Sequence, residues 1–141
     1  GRYTITDEMK ERLVDFAGGY ASEEDTARRI KEVYEKTGYV MDTHTAVASH
    51  VCSEYREAGG DGPKYLIAST ASPYKFVKSV MGAMNDSYAD ADEFDLLGKL
   101  QEVSGVEMPK AVREIMEADV RHSAERDPEC MEQTVREILH V

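Results

Sequence analysis

Three hydroxyls crowd one short turn, Ser69, Thr70 and Ser72, directly after the apolar run Tyr65-Leu66-Ile67-Ala68. The run has the character of a short buried strand, and Pro73 follows where a helix should begin. In open α/β sheets ligands bind beyond the carboxyl ends of strands, so hydroxyls placed there could hold a polar group of a ligand. The same residues have a second use. Ser at an N-cap accepts from an orphan backbone N–H, and Pro at the first helical position loses no useful donor. Spacing alone leaves both readings open, and capping turns are the commoner kind.

His44 is the other candidate. It opens a helix in which Ala48 and Cys52 share its row and Val47, Val51 and Tyr55 form the next, so it is expected on the buried side. The positive end of the helix dipole favours a neutral ring there. Such a ring can donate to a ligand, or it can merely satisfy a neighbouring carbonyl. His50 shares the opposite, wet face with Glu54 and Glu57, while His122 and His140 lie in charged surroundings. A triad of Ser69, His44 and Asp42 can be written down from residue types, but the GxSxG elbow that such chemistry uses is missing. The histidines are neither paired at helical spacing nor set near cysteines, so no metal site is expected. Gly59-Gly60-Asp61-Gly62-Pro63 matches no phosphate-loop pattern and reads as a plain turn.

Helices must position these groups. Thr6 or Asp7 can cap a first one, with Met9, Leu13 and Phe16 on one side and Gly18-Gly19 as its end. Ser22 opens a second in the order Ser-Glu-Glu-Asp, close to a capping box, and Gly38 stops it. Its apolar stripe is Ala27, Ile30, Val33 and Tyr34. Tyr39-Val40-Met41 suffices only for a stub of strand, and Asp42 then caps the His44 helix over about 43–58. After Pro73, Phe76, Val80 and Met84 recur at helical spacing with Val77 and Met81 beside them. Residues 86–92 read as an internal loop. Three further helices carry Phe94, Leu97, Leu100 and Val103, then Val112, Ile115 and Met116 after Pro109, then Met131, Val135, Ile138 and Leu139 after Asp127-Pro128.

The chain has 141 residues, 41% of them hydrophobic, enough for one domain with a core and few for two. Its 28 acidic and 17 basic residues give a formal charge of −11, which phosphate backbones and anionic lipid surfaces would repel. Neither nucleic acid nor a membrane is therefore an expected partner. No apolar run approaches the roughly 20 residues of a bilayer span, and no leader pattern opens the chain. Cys52 and Cys130 lie far apart, Cys52 in an apolar helical pattern that suits a small buried thiol. That usage points to a reducing cytoplasm.

Two stretches together carry a family resemblance. Thr37-Gly38-Tyr39-Val40-Met41-Asp42-Thr43-His44-Thr45-Ala46-Val47-Ala48, followed by Ser69-Thr70-Ala71-Ser72-Pro73-Tyr74-Lys75-Phe76, resembles the C-terminal part of the threonine synthases of the longer, bacterial and fungal type. The Ser22–Lys36 helix and the tail Arg121–Leu139 fit as well, and Thr43 departs from the proline usual after the aspartate. The resemblance implies a pyridoxal 5′-phosphate enzyme of the tryptophan-synthase-like fold (fold type II) that converts O-phosphohomoserine and water to threonine and phosphate. It implies that a hydroxyl faces the cofactor's ring nitrogen, on this chain Thr70 with Ser69 the near alternative. A neutral hydroxyl suits an unprotonated ring nitrogen. His44 would line or brace the site.

The family's Schiff-base lysine and glycine-rich phosphate loop lie upstream of the matched region, and Lys75 has no such context. No catalytic residue is thus assigned to this chain.

The expected fold class is α/β: predominantly helical with two or three short strands, a C-terminal fragment over residues 1–141 of a larger fold-type-II enzyme. So few strands cannot make an independent sheet, and Gly1-Arg2-Tyr3 starts abruptly. The expected partner is accordingly the missing N-terminal part of the same enzyme, and the chain alone is expected to be inert. Two rival readings are another pyridoxal-phosphate enzyme, deaminase-like, and a non-catalytic acidic helical binding module.

Overall fold

The computed structural model describes residues 2–59 and 64–141. The helices are α1 (Asp7–Glu11), α2 (Glu23–Thr37), α3 (Thr43–Gly59), α4 (Val77–Met84), α5 (Glu93–Ser104), α6 (Lys110–Glu117) and α7 (Met131–Leu139). Single 3₁₀ turns at Pro73–Phe76, Asp86–Tyr88 and Pro128–Cys130 precede or separate them. The expected turn at 59–63 lies outside the described residues except for Gly59, which ends α3.

The α/β expectation is wrong for the described residues. Helices take 62% of them and no strand forms. A strand exists only where its N–H and C=O groups meet a neighbour's. Tyr65-Leu66-Ile67 finds no such neighbour here; it runs along the outside, with Leu66 98% exposed. The stub Tyr39-Val40-Met41 is likewise not a strand. Val40 and Met41 are instead buried anchors in the link between α2 and α3.

Local chemistry accounts for the helix boundaries. Ser22 Oγ accepts from Asp25 N–H and Asp25 Oδ2 accepts from Ser22 N–H, so the capping box forms with aspartate in the third position. Gly38 and Gly105 end α2 and α5 at φ +74° and +67°, a left-handed conformation that glycine adopts without a Cβ clash. Asp92 caps α5 by accepting from Phe94 and Asp95 N–H. The first helix is shorter than its apolar spacing predicts, because α1 closes at Arg12.

Helices α2, α3, α4 and α5 form the body. α2 packs on α3 and α4, and α4 packs on α5. Ile30, Val77, Val80, Met81, Leu96 and Leu100 are fully enclosed between them. The faces of α4 and α5 differ slightly from the periodic reading, since Phe76 and Phe94 stay at the surface while Leu96 turns inward. Tyr74 joins the core, and its phenol donates to Val106 C=O at 2.6 Å, tying the Pro73 turn to the segment after α5.

α3 is rotated relative to expectation. Its enclosed side is Thr45, Ala46 and Ser49, while Ala48 and Tyr55 are exposed and Val51 and Cys52 half-buried. Small side chains let α2 approach closely, and Arg29 Nε of α2 donates to Ser49 Oγ at 2.9 Å. His50, expected in water, has a side chain only 13% exposed, with Nε2 3.4 Å from Glu54. His44, expected inward, has a side chain 58% exposed.

Candidate functional site

The hydroxyl turn and the start of α3 meet at one place. Asp42 caps α3: Oδ1 accepts from His44 N–H at 2.8 Å and from Thr45 N–H at 3.1 Å, and Oδ2 accepts from the Thr45 hydroxyl. Asp42 is only 1% exposed. Burial raises its carboxyl pKa, but the Thr45 hydroxyl and the two backbone N–H donors outweigh that and hold it below the ordinary 3.8. The carboxylate is therefore ionised at neutral pH and can only accept.

Thr45 Oγ1 also lies 2.9 Å from Ser69 Oγ, a contact spanning 24 positions of sequence. It anchors the hydroxyl turn to the buried cap. Ser69 and Thr70 both stand at the surface. Ser72, the third hydroxyl, is a cap: its Oγ accepts from Tyr74 N–H at 3.3 Å, with Pro73 at the first position of the turn. The two uses that spacing left open are thus divided among the three residues.

His44 stands on the rim of this place. Its ring centroid is 5.5 Å from that of Phe76, and Nδ1 is 3.5 Å from Asp42 Oδ1. Asp42 meets His44 directly and Ser69 only through Thr45, so among the described residues it is Thr45, not His44, that bonds Ser69. Periodicity gave no sign of Thr45 as the link; its buried hydroxyl three positions after an N-cap aspartate was the available signal. Lys75 places its ammonium 5.3 Å from the Phe76 ring centroid. Among the described residues no group of three or more His, Cys, Asp or Glu is arranged to hold a metal ion.

The segment that leads into Ser69 forms one bank of an apolar groove of about 770 Å³. Tyr65, Leu66, Ile67 and Ala68 line it together with Ala48, Val51, Cys52 and Tyr55 of α3 and with Gly18-Gly19. Gly19 packs so closely that a Cβ there would sit 2.5 Å from Val51 Cγ1. Tyr55 meets Tyr65 edge-on at 6.3 Å, and the Arg56 guanidinium lies 5.5 Å over the Tyr65 ring. Cys52 thus lines a groove instead of sitting in the core, and both it and Cys130 are free thiols. Among the described residues no helix is long and apolar enough to cross a membrane.

Threonine synthase of Saccharomyces cerevisiae is 34% identical to the chain over 114 residues, 75% of this chain and 21% of that protein. The chain is related to threonine synthase. The Schizosaccharomyces pombe threonine synthase is 36% identical over 92 residues, 64% of this chain and 18% of its own length. That of Methylobacillus glycogenes is 35% identical over 69 residues, 49% and 14% respectively. The chain therefore spans about a fifth or less of each threonine synthase it matches. No protein-family model matches it.

Proposed function

We propose that this chain is one wall of a threonine synthase site, which with the rest of such an enzyme converts O-phospho-L-homoserine and water to L-threonine and phosphate on pyridoxal 5′-phosphate. The observation that carries the reading is the exposed pair Ser69 and Thr70, of which Ser69 is tied to the Asp42 cap through Thr45, in a chain related to threonine synthase.

The pair fits the ring-nitrogen side of the cofactor. A hydroxyl can donate to an unprotonated pyridine nitrogen, whereas a carboxylate there would hold a proton on it. Pyridoxal phosphate, when bound, supplies an electron sink for negative charge developing beside the substrate's amino group. Thr70, with Ser69 as the alternative, orients the ring by that one hydrogen bond. His44, whose ring lies 5.5 Å from that of Phe76, would line or brace the site. The lysine that bonds the cofactor and the loop that cradles its phosphate belong, in this reading, to the remainder of the enzyme, so the chain alone is inert. The apolar groove beside the pair is where that remainder would dock. A reducing cytoplasm suits the two free thiols.

The test is phosphate release from O-phospho-L-homoserine by the protein expressed from the complete gene, with pyridoxal phosphate present. Stoichiometric threonine and phosphate support the reading. Deamination of hydroxy amino acids without phosphate release would move the protein to a different enzyme of the same cofactor, and no turnover of either would favour a binding module.

A further inference from the structure

The hydroxyls between Asp42 and Ser69 hold too few protons for their contacts to run in both directions. Thr45 Oγ1 has one proton and two oxygen neighbours, Asp42 Oδ2 and Ser69 Oγ. Asp42 already collects two backbone N–H bonds, which favour its ionised form against the opposing effect of burial, so it has no proton to give. The Thr45 proton must go to Asp42. For the Ser69–Thr45 contact to be a hydrogen bond, Ser69 must then donate its own single proton inward to Thr45 Oγ1. Ser69 is left presenting lone pairs to the outside.

We propose that Asp42 and Thr45 are positioning residues that polarise this chain of hydroxyls, making Ser69 an outward acceptor and leaving Thr70 as the hydroxyl that donates to the ring nitrogen. The proposal rests on the cofactor reading above for its second half only; the direction of the Ser69 bond stands on the proton count. It also supplies a reason for two adjacent hydroxyls. One is spent locking the turn to α3, and the other remains available, since Thr70 makes no side-chain hydrogen bond among the described residues.

Asp42→Asn reverses the chain while keeping the cap. The amide can still accept from the His44 and Thr45 N–H groups through its oxygen, but it turns an NH₂ toward Thr45 Oγ1. Thr45 would then donate to Ser69, and the Ser69 proton would turn outward. Two measurements test this. In the 141-residue chain, NMR reads the exchange of the Ser69 hydroxyl proton with water. We expect it protected in the native chain and exchanging at least tenfold faster in Asp42→Asn, with Thr45→Ser behaving as native. A Ser69 proton that exchanges in the native chain as freely as that of an exposed serine overturns the polarity, whatever the cofactor does.

In the protein from the complete gene, pyridoxal phosphate affinity should fall about tenfold for Thr70→Ala and about threefold for Ser69→Ala. Adding Asp42→Asn to Thr70→Ala should recover at least threefold, because Ser69 regains a proton to donate. Equal losses for the two single variants, or no recovery, overturn the assignment to Thr70. A protected Ser69 proton with an affinity that no variant moves overturns that assignment and the cofactor reading together, leaving only the direction of the Ser69 bond.

Discussion

The body of α2 to α5 and the terminal helices follow the same sequence rules with opposite results. In the body, the apolar stripes of α2, α4 and α5 meet, and Ile30, Val80, Met81 and Leu100 lose essentially all contact with water. Apolar residues recur at the same spacing at both ends, Met9 of α1 with Leu13 just beyond it, and Met131, Val135 and Ile138 of α7. Neither helix buries a residue. Pattern alone does not stabilise a short helix; a covered face does. α3 holds both cases in one element, with Ala46 enclosed against α2 and the Val51–Tyr55 side opening onto the groove.

This contrast is broken or sharpened by substitution, most strongly in the body. Leu100→Ala in the 141-residue chain should cost about 2–5 kcal/mol, because it empties a fully enclosed site. A denaturant midpoint that hardly moves would mean that the body is not the cooperative unit. Asp42→Ala should cost about 1–3 kcal/mol, since it removes the cap and leaves the Thr45 hydroxyl without its acceptor.

The same carboxylate sets an acid limb. Its folded pKa lies below the ordinary 3.8, so its stabilising contribution is complete above 3.8 and is lost as the pH falls through the folded value. Melting temperature should therefore drop below about pH 3.8 in the native chain. The drop should be shallower in Asp42→Asn, and parallel acid limbs in the two proteins would place the titration elsewhere. The smallest effect belongs to the uncovered helix. Ile138→Ala should change the stability of the chain by no more than about 0.5 kcal/mol. A cost comparable to that of Leu100→Ala would show that α7 is packed after all.

Sequence was informative wherever a single side chain and its own backbone decide the outcome. The caps at Ser22, Asp42 and Ser72 and the glycine stop at Gly38 all follow from local chemistry. It misled where the outcome needs a second surface. Tyr65-Leu66-Ile67 has strand composition, yet no neighbour turns it into a strand. The direction in which α3 faces was misjudged because Val47, Val51 and Tyr55 make the more hydrophobic row. The close approach of α2 instead selects the small residues Ala46 and Ser49, helped by Arg29. The hydroxyl cluster was half legible. Ser69, Thr70 and Asp42 stand out by type, but their connection through Thr45 exists only once the chain is folded.

The most direct test of the central claim is the dissociation constant of pyridoxal phosphate in the protein from the complete gene, compared for Thr70→Ser and Thr70→Ala. One neutral hydrogen bond contributes about 1–1.5 kcal/mol, so losing the hydroxyl should weaken binding about tenfold while the serine variant stays close to the parent. Equal affinities for the alanine and serine variants would contradict the account.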